Sequence, residues 1–474
     1  MTTTEKLPLV IQGGMGVAVS NWRLAKAVST TGNLGVVSGT MLDTVMVRRL
    51  QDGDPGGDVR RAISHFPIEG AGEEILRRYY RKDGRGDAPY HLLPMYKQVV
   101  TPARQRVTIL ANFVEVFLAK EGHDGVVGIN LLTKVQMPTL PSLYGAMLAG
   151  VDYVIMGAGI PREIPGALDA LAEHKPAKLR FDIEGLPRDE EAWLHFDPAD
   201  YDAPRTPLKR PRFLAVVSAS SLATTLARKA NGRVDGFVIE RPSAGGHNAP
   251  PRGEVKLNDL GEPMYGDRDI VDLAKIRELG LPFWLAGGAG SPEVLREALD
   301  AGAAGIQVGT LFAFCEESGV TPEIRREVLH AVHADEASVF TDPRASPTGY
   351  PFKVVRTSNP EPMPARERIC DLGYLRVAAR TPEGRVVYRC SAEPVDTYVA
   401  KGGTEADAQG RRCLCNGLTA TVGMGQQREP RNEDPLVTSG DDLINMPGFF
   451  SHGKPFHAAD VIAYLLSEVP AHAS

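Results

Sequence analysis

The feature that most constrains this chain is a repeat. A short apolar run ends in Gly, Ser, Thr or Asn, and a helical stretch follows. The runs are PLVIQGG (8–14), NLGVVSGT (33–40), GVVGINLLT (125–133), VDYVIMGAG (151–159), RFLAVVSAS (212–220), VDGFVIERPSAGG (234–246), PFWLAGGAG (282–290) and AAGIQVGT (303–310). Near-continuous Val, Ile and Leu fit strands buried on both faces. Intervening segments such as SLATTLARKANG (221–232) and SPEVLREALDAGA (291–303) read as helices, the second opening on Ser-Pro and closing on glycine. Alternating strand and helix predicts parallel strands joined by crossover helices. A doubly wound open sheet meets the same pattern. It uses one switch point, however, whereas a closed (β/α)8 TIM barrel gathers every strand end around one site. Most of these runs end in glycine or a small polar residue, which favours the α/β barrel.

Three segments interrupt the repeat. Residues 44–110 are long, charged and partly helical, and 176–211 contain an extra candidate strand, AKLRFDIEG, before an acidic stretch. Both are expected as insertions over a barrel face. The predicted division is a barrel over 1–318 and a C-terminal α+β extension over 319–474 packed on it. In that extension FKVVRT (352–357), YLRVAAR (374–380) and GRVVYRC (384–390) read as strands, and FHAADVIAYLLSEV (456–469) as an amphipathic helix.

Composition excludes some classes of function. The net charge is −6, from 53 basic and 59 acidic residues, and no basic cluster interleaves with aromatics, so no nucleic-acid partner is expected. No run approaches the roughly 20 apolar residues of a membrane span. The N-terminus MTTTEKLPLVIQGG lacks a signal-peptide h-region, and five cysteines in 474 residues suit free thiols. The expected location is the cytoplasm. The oligomeric state, a homo-oligomer included, is left open.

The strand ends carry the chemistry. LAGGAGSPEV (285–294) is a strand, a glycine turn and a helix start, where backbone amides attract an anion. IQVGTLF (306–312) adds Gly309 and Thr310. Barrels often bind phosphate with the loops after strands seven and eight, where these two motifs fall. QGGMG (12–16) lets a flat ring approach the backbone, with Met15 to pack on it, although a simple turn has the same sequence. Asn130, inside GINLL, is a polar strand-end residue that wants a partner.

Together QGGMG, GINLL (128–132), MGAGIP (156–161), AVVSAS (215–220), SAGGH (243–247), AGGAG (286–290) and QVGT (307–310) resemble the nitronate monooxygenase (2-nitropropane dioxygenase) family, related to FMN-dependent enoyl-ACP reductases. The resemblance runs in order over residues 8–318, and ASPTGYPFKVV (345–355) extends it. It implies an FMN-binding barrel in which Gly13, Gly14, Met15, Asn130 and the backbone near Val217 and Ser218 line the flavin ring. It places Gly245, Gly246, Gly287, Gly288, Gly309 and Thr310 on the phosphate side, with Gln307 nearby. The family's histidine matches His247.

His247 has three readings. It is an ordinary loop residue, a metal ligand, or an acid/base beside a flavin. Its loop offers no second ligand, which argues against a metal. A strand's C-terminal end and a titration range near neutrality suit proton transfer. The implied reaction is FMN-dependent oxidation of an alkyl nitronate by dioxygen to a carbonyl compound and nitrite. His247 then takes the α-proton of a nitroalkane or hydrogen-bonds the nitronate. Two alternatives stand beside it: an NAD(P)H-dependent FMN enoyl reductase acting on an enoyl thioester, and a flavin-free binding scaffold. Arg252, in HNAPPRG, meets an anionic substrate or only solvent. Cys370, Cys390, Cys413 and Cys415 form a weak candidate zinc set, since C-x-C at 413–415 is tighter than structural zinc spacing.

Overall fold

The computed structural model describes residues 7–357, 367–428, 433–449 and 454–469. Met1–Lys6, on which part of the N-terminal reading rests, lie outside them. The eight apolar runs form eight parallel strands: Val10–Gln12, Gly35–Ser38, Val127–Leu132, Tyr153–Gly157, Arg212–Val217, Gly236–Glu240, Phe283–Ala286 and Gly305–Val308. Numbered first to eighth, they neighbour one another in sequence order, and the first pairs with the eighth. The second strand closes the circle. Leu34 N donates to Val10 O at 3.1 Å and Gln12 N to Leu34 O at 2.9 Å. The sheet is therefore a closed barrel, as the sequence predicts.

Alternation along each strand splits the apolar residues into two layers. Ile11, Val36, Ile155, Leu214, Val238 and Trp284 form one cluster inside the barrel. Val10, Val37, Val154, Phe213, Phe237 and Leu285 face the helices. Trp284 Nε1 donates to Pro8 O at 2.8 Å, so the indole fills the interior and its polar end is satisfied. Close approach of helix and strand needs Gly35, where an added Cβ would lie 1.9 Å from Ala25 O.

The first insertion contributes the helices Leu42–Gln51, Asp58–Ile63 and Ala71–Tyr79. Its expected end, residue 110, falls inside the helix Pro102–Lys120, which runs on to the third strand and is the crossover itself. In the second insertion, Ala177–Arg180 pairs with Trp193–Phe196. Ile183–Glu184 instead joins the tail strand Val377–Arg380, which pairs with Val386–Arg389. The tail also folds Ala337–Asp342 against Phe352–Thr357, the first of these a strand the sequence reading left out. The terminal helix is shorter than expected, Ala458–Leu465. Among the described residues no helix is long and apolar enough to cross a membrane.

A buried polar cluster ties the tail to the first insertion. Asp43 lies beside Arg104 (Nη2–Oδ2, 2.8 Å), accepts from Thr108 Oγ1 at 2.9 Å, and accepts from the Tyr374 hydroxyl. Burial opposes ionisation of Asp43, but the Arg104 guanidinium and these donors hold its carboxyl below the usual range. Removing one partner of such a pair strands a buried charge. Asp43→Ala is expected to cost about 3–5 kcal/mol, read as a lower urea midpoint; a midpoint within error of wild type would contradict this account.

Candidate active site

The C-terminal ends of the strands open onto a cavity of about 220 Å³, where one water needs roughly 10–15 Å³. The cavity is therefore of ligand size. Gly13, Gly14 and Met15 line it after the first strand, and Asn130 lines it from the third. Gly245, Gly246 and His247 follow the sixth strand, Gly287 and Gly288 the seventh, and Gln307, Gly309 and Thr310 the eighth. The barrel thus brings most of the predicted residues into one wall. Only glycine fits at residue 14, because a Cβ there would fall 2.3 Å from Asn130 Cβ. Gly246, Gly287 and Gly288 have φ of +77°, +83° and +61°, the left-handed region that favours glycine.

Three predicted residues lie elsewhere. Val217 is buried between strand and helices, and Val216 lines the cavity instead. A one-residue offset on a strand exchanges the faces. Ser218 and Arg252 belong to an adjoining side pocket with Tyr265 and Asp269. There Arg252 Nη2 donates to Ser218 O at 3.2 Å, and Arg252 N to Asp269 Oδ1 at 2.9 Å. Arg252 is exposed and does not line the main cavity. In the tail, the Cys370 and Cys390 thiols perturb each other, Cys370 being lowered and Cys390 raised. Among the described residues no group of three or more His, Cys, Asp or Glu side chains is arranged to hold a metal ion.

Two parts of the wall escaped the sequence reading. One is Thr438–Asp442 of the tail. Gly246 N donates to Thr438 Oγ1 at 3.0 Å, Asp441 N to Ser243 O at 3.0 Å, Gly440 N to Thr310 Oγ1 at 3.0 Å, and Gly290 N to Asp442 Oδ2 at 3.1 Å. Its small-polar run, TSGDD, has the composition of the strand ends, but nothing local says which wall it joins. The other is Glu240, the last residue of the sixth strand. A carboxylate closing a continuous apolar run was the available signal.

The titratable groups of the wall are shifted by burial. His247 is pushed down to about 4, so its ring is neutral at pH 7. Its Nε2 lies 2.7 Å from Ser346 Oγ, a fully buried hydroxyl of the tail, and its ring stands edge-on to Phe352. Glu240 is pushed up to about 7 by burial, and its carboxyl makes no hydrogen bond or ion pair among the described residues. Burial also raises Asp442. No lysine or arginine is among the described residues that line the cavity.

FMN fits this wall. Gln307 Oε1 is a buried acceptor with no partner, and it sits beside side-chain-free backbone at Gly13. Thr310 Oγ1 accepts from Gly440 N and Ser439 Oγ, which leaves its own proton to donate to an anion.

Fold and cavity define a (β/α)8 barrel with a ligand site at its strand ends. Residues 197–357 match the family model described as nitronate monooxygenase, a span that holds strands five to eight, His247 and Ser346. Over 196 residues the chain is 30% identical to a nitronate monooxygenase of Pseudomonas aeruginosa, covering 40% of this chain and 49% of that protein. Over 128 residues it is 31% identical to a probable nitronate monooxygenase of Bacillus subtilis, covering 27% of this chain and 35% of that one. It thus spans about half or less of the curated relatives it matches. FabK from Thermotoga maritima superposes with a TM-score of 0.48 at 16% identity, covering 98% of this chain and 93% of that one. The resemblance carried by the glycine motifs stands, and the chain is similar to nitronate monooxygenases.

Two outcomes follow from the wall. The folded protein holds the Glu240 proton more tightly than the unfolded chain, so this group lowers stability as pH rises from 4.5 to about 7. Glu240→Gln is expected to melt higher than wild type at about pH 8 and close to it at about pH 4.5, by calorimetry; equal melting at both would refute the shift. A Cβ on Gly245 would lie 2.7 Å from Gly440 N and 2.8 Å from Ser439 C. Gly245→Ala is expected to displace the tail segment and weaken retention of any bound flavin at least about tenfold, roughly 1.4 kcal/mol, in a dilution assay of protein-bound absorbance.

Proposed function

We propose that this chain is a flavin-dependent oxidoreductase that binds FMN at the strand ends and oxidises alkyl nitronates with dioxygen to a carbonyl compound and nitrite. The observation that carries the reading is the wall itself. Glycine backbone, the unpartnered Gln307 acceptor and a neutral His247 meet in one cavity, within a span that matches the nitronate monooxygenase family. When bound, FMN supplies the electron-transfer chemistry, and the protein supplies orientation and electrostatics.

The residues divide the work by position. Gly13, Gly14 and Asn130 give a flat ring room and a polar edge. Thr310 and the turn at Gly287 and Gly288 face an anion with a hydroxyl and backbone rather than a cation. His247 is oriented by Ser346 through Nε2, and Nδ1 has no partner among the described residues. That nitrogen is available to hydrogen-bond the nitronate. The tail contributes Thr438, Ser439, Gly440, Asp442 and Phe352 to the cavity wall.

The missing lysine and arginine favour a second reading, an enoyl reductase acting on an uncharged enoyl thioester. Anaerobic titration separates the two. Bleaching of the flavin band by propionate 3-nitronate, with little response to NADPH, is expected. Rapid bleaching by NADPH and none by the nitronate would transfer the reading to the reductase, and a colourless protein would sink both.

A further inference from the structure

His247 is a poor fit to one part of the chemistry. A nitronate needs no deprotonation, but an uncharged nitroalkane does, and the group that removes its α-proton should titrate near the working pH. The His247 ring is held neutral down to about pH 4, with Nε2 engaged by Ser346. Asp442 is occupied by the amide of Gly290. Glu240 is different. It ends the sixth strand opposite Ala286, its carboxyl forms part of the cavity wall, and it has no hydrogen bond or ion pair among the described residues. Glu240 is half-buried, and a carboxyl shielded from bulk water without a partner costs stability; such cost concentrates at functional positions.

We propose that Glu240 is the proton acceptor of this cavity, taking the α-proton of an uncharged nitroalkane so that the site makes its own nitronate. The inference rests on the nitronate reading above. The C–H bond breaks, its electron pair moves into the nitro group, and an O–H bond forms on Glu240; no oxidant enters this step. The surroundings suit it. Glu240 forms part of the partition between the main cavity, which holds His247 and Asp442, and the side pocket with Arg252, Tyr265 and Asp269. Arg241 follows it in sequence, and Arg252 is turned to Ser218 O and forms no ion pair with Glu240. With no cation against it, the carboxyl titrates at about 7 and is about half ionised at neutrality.

The test uses the flavin-loaded full chain with nitroethane and with ethylnitronate. For Glu240→Gln, kcat/KM for nitroethane divided by that for ethylnitronate is expected to fall at least about 100-fold, and Glu240→Asp should recover part of it. A ratio within about threefold of wild type overturns the inference. Wild type alone gives a second readout. Infrared titration should show a carboxylic-acid carbonyl signal lost as pH rises through about 7 and missing from Glu240→Gln; its absence from wild type also overturns the inference. A wild type that oxidises neither substrate overturns the nitronate reading itself. One that oxidises ethylnitronate while the ratio holds leaves that reading standing and removes only Glu240.

Discussion

The candidate site depends on the seating of Thr438–Asp442 across the ends of the barrel. Five hydrogen bonds join this segment to the loops after strands six, seven and eight, three of them at 3.0 Å, one at 3.1 Å and one at 3.4 Å. The fit is close enough that glycine is required on both sides: a Cβ on Gly440 would lie 2.9 Å from Ser243 O, and one on Gly245 would lie 2.7 Å from Gly440 N. Glu240, His247 and Gly288 line the same cavity as this segment, and burial displaces the titration of the two ionisable groups.

That electrostatics has an unusual balance. The described lining contains His247, Glu240 and Asp442 and no lysine or arginine, and burial moves each of the three toward its uncharged form. An anion held here relies on amides and hydroxyls, as at helix starts and glycine turns. Arg252 lies exposed in the adjoining side pocket and is not part of the main cavity's lining. A wall of this kind is in keeping with the proposed removal of a proton from an uncharged nitroalkane by Glu240.

The barrel was legible because its strands are buried on both faces, so that nearly every residue is apolar and the runs announce themselves. Their ends were legible because glycine and small polar residues are required where backbone faces a ligand. The finer assignment named the backbone near Val217, and an unbroken apolar run hides which side chains point inward; Val216 does. Glu240 was passed over although its sequence signal, a carboxylate closing an apolar run, was there; the run itself was read only as a strand. The wall from 438 to 442 could not be read at all. It is irregular chain that runs into the 3-10 helix Asp441–Gly448, its partners lie roughly 130 to 200 positions away, and no periodicity encodes such pairings.

What holds a distant coil in register is the rest of the extension. Tyr374 reaches Asp43 on the first insertion, and Val377–Arg380 pairs with Ile183–Glu184 of the second. Both insertions thus anchor the tail before it returns to the barrel. Lys353, buried in the tail hairpin, then fixes Asp441 at 2.7 Å and Thr341 at 2.9 Å. The neighbouring Phe352 pairs with His247, so one strand positions both the segment that lines the cavity and the imidazole inside it. The tail, which first looks like an addition to a finished barrel, completes the wall of the candidate site, and the insertions hold the tail in place.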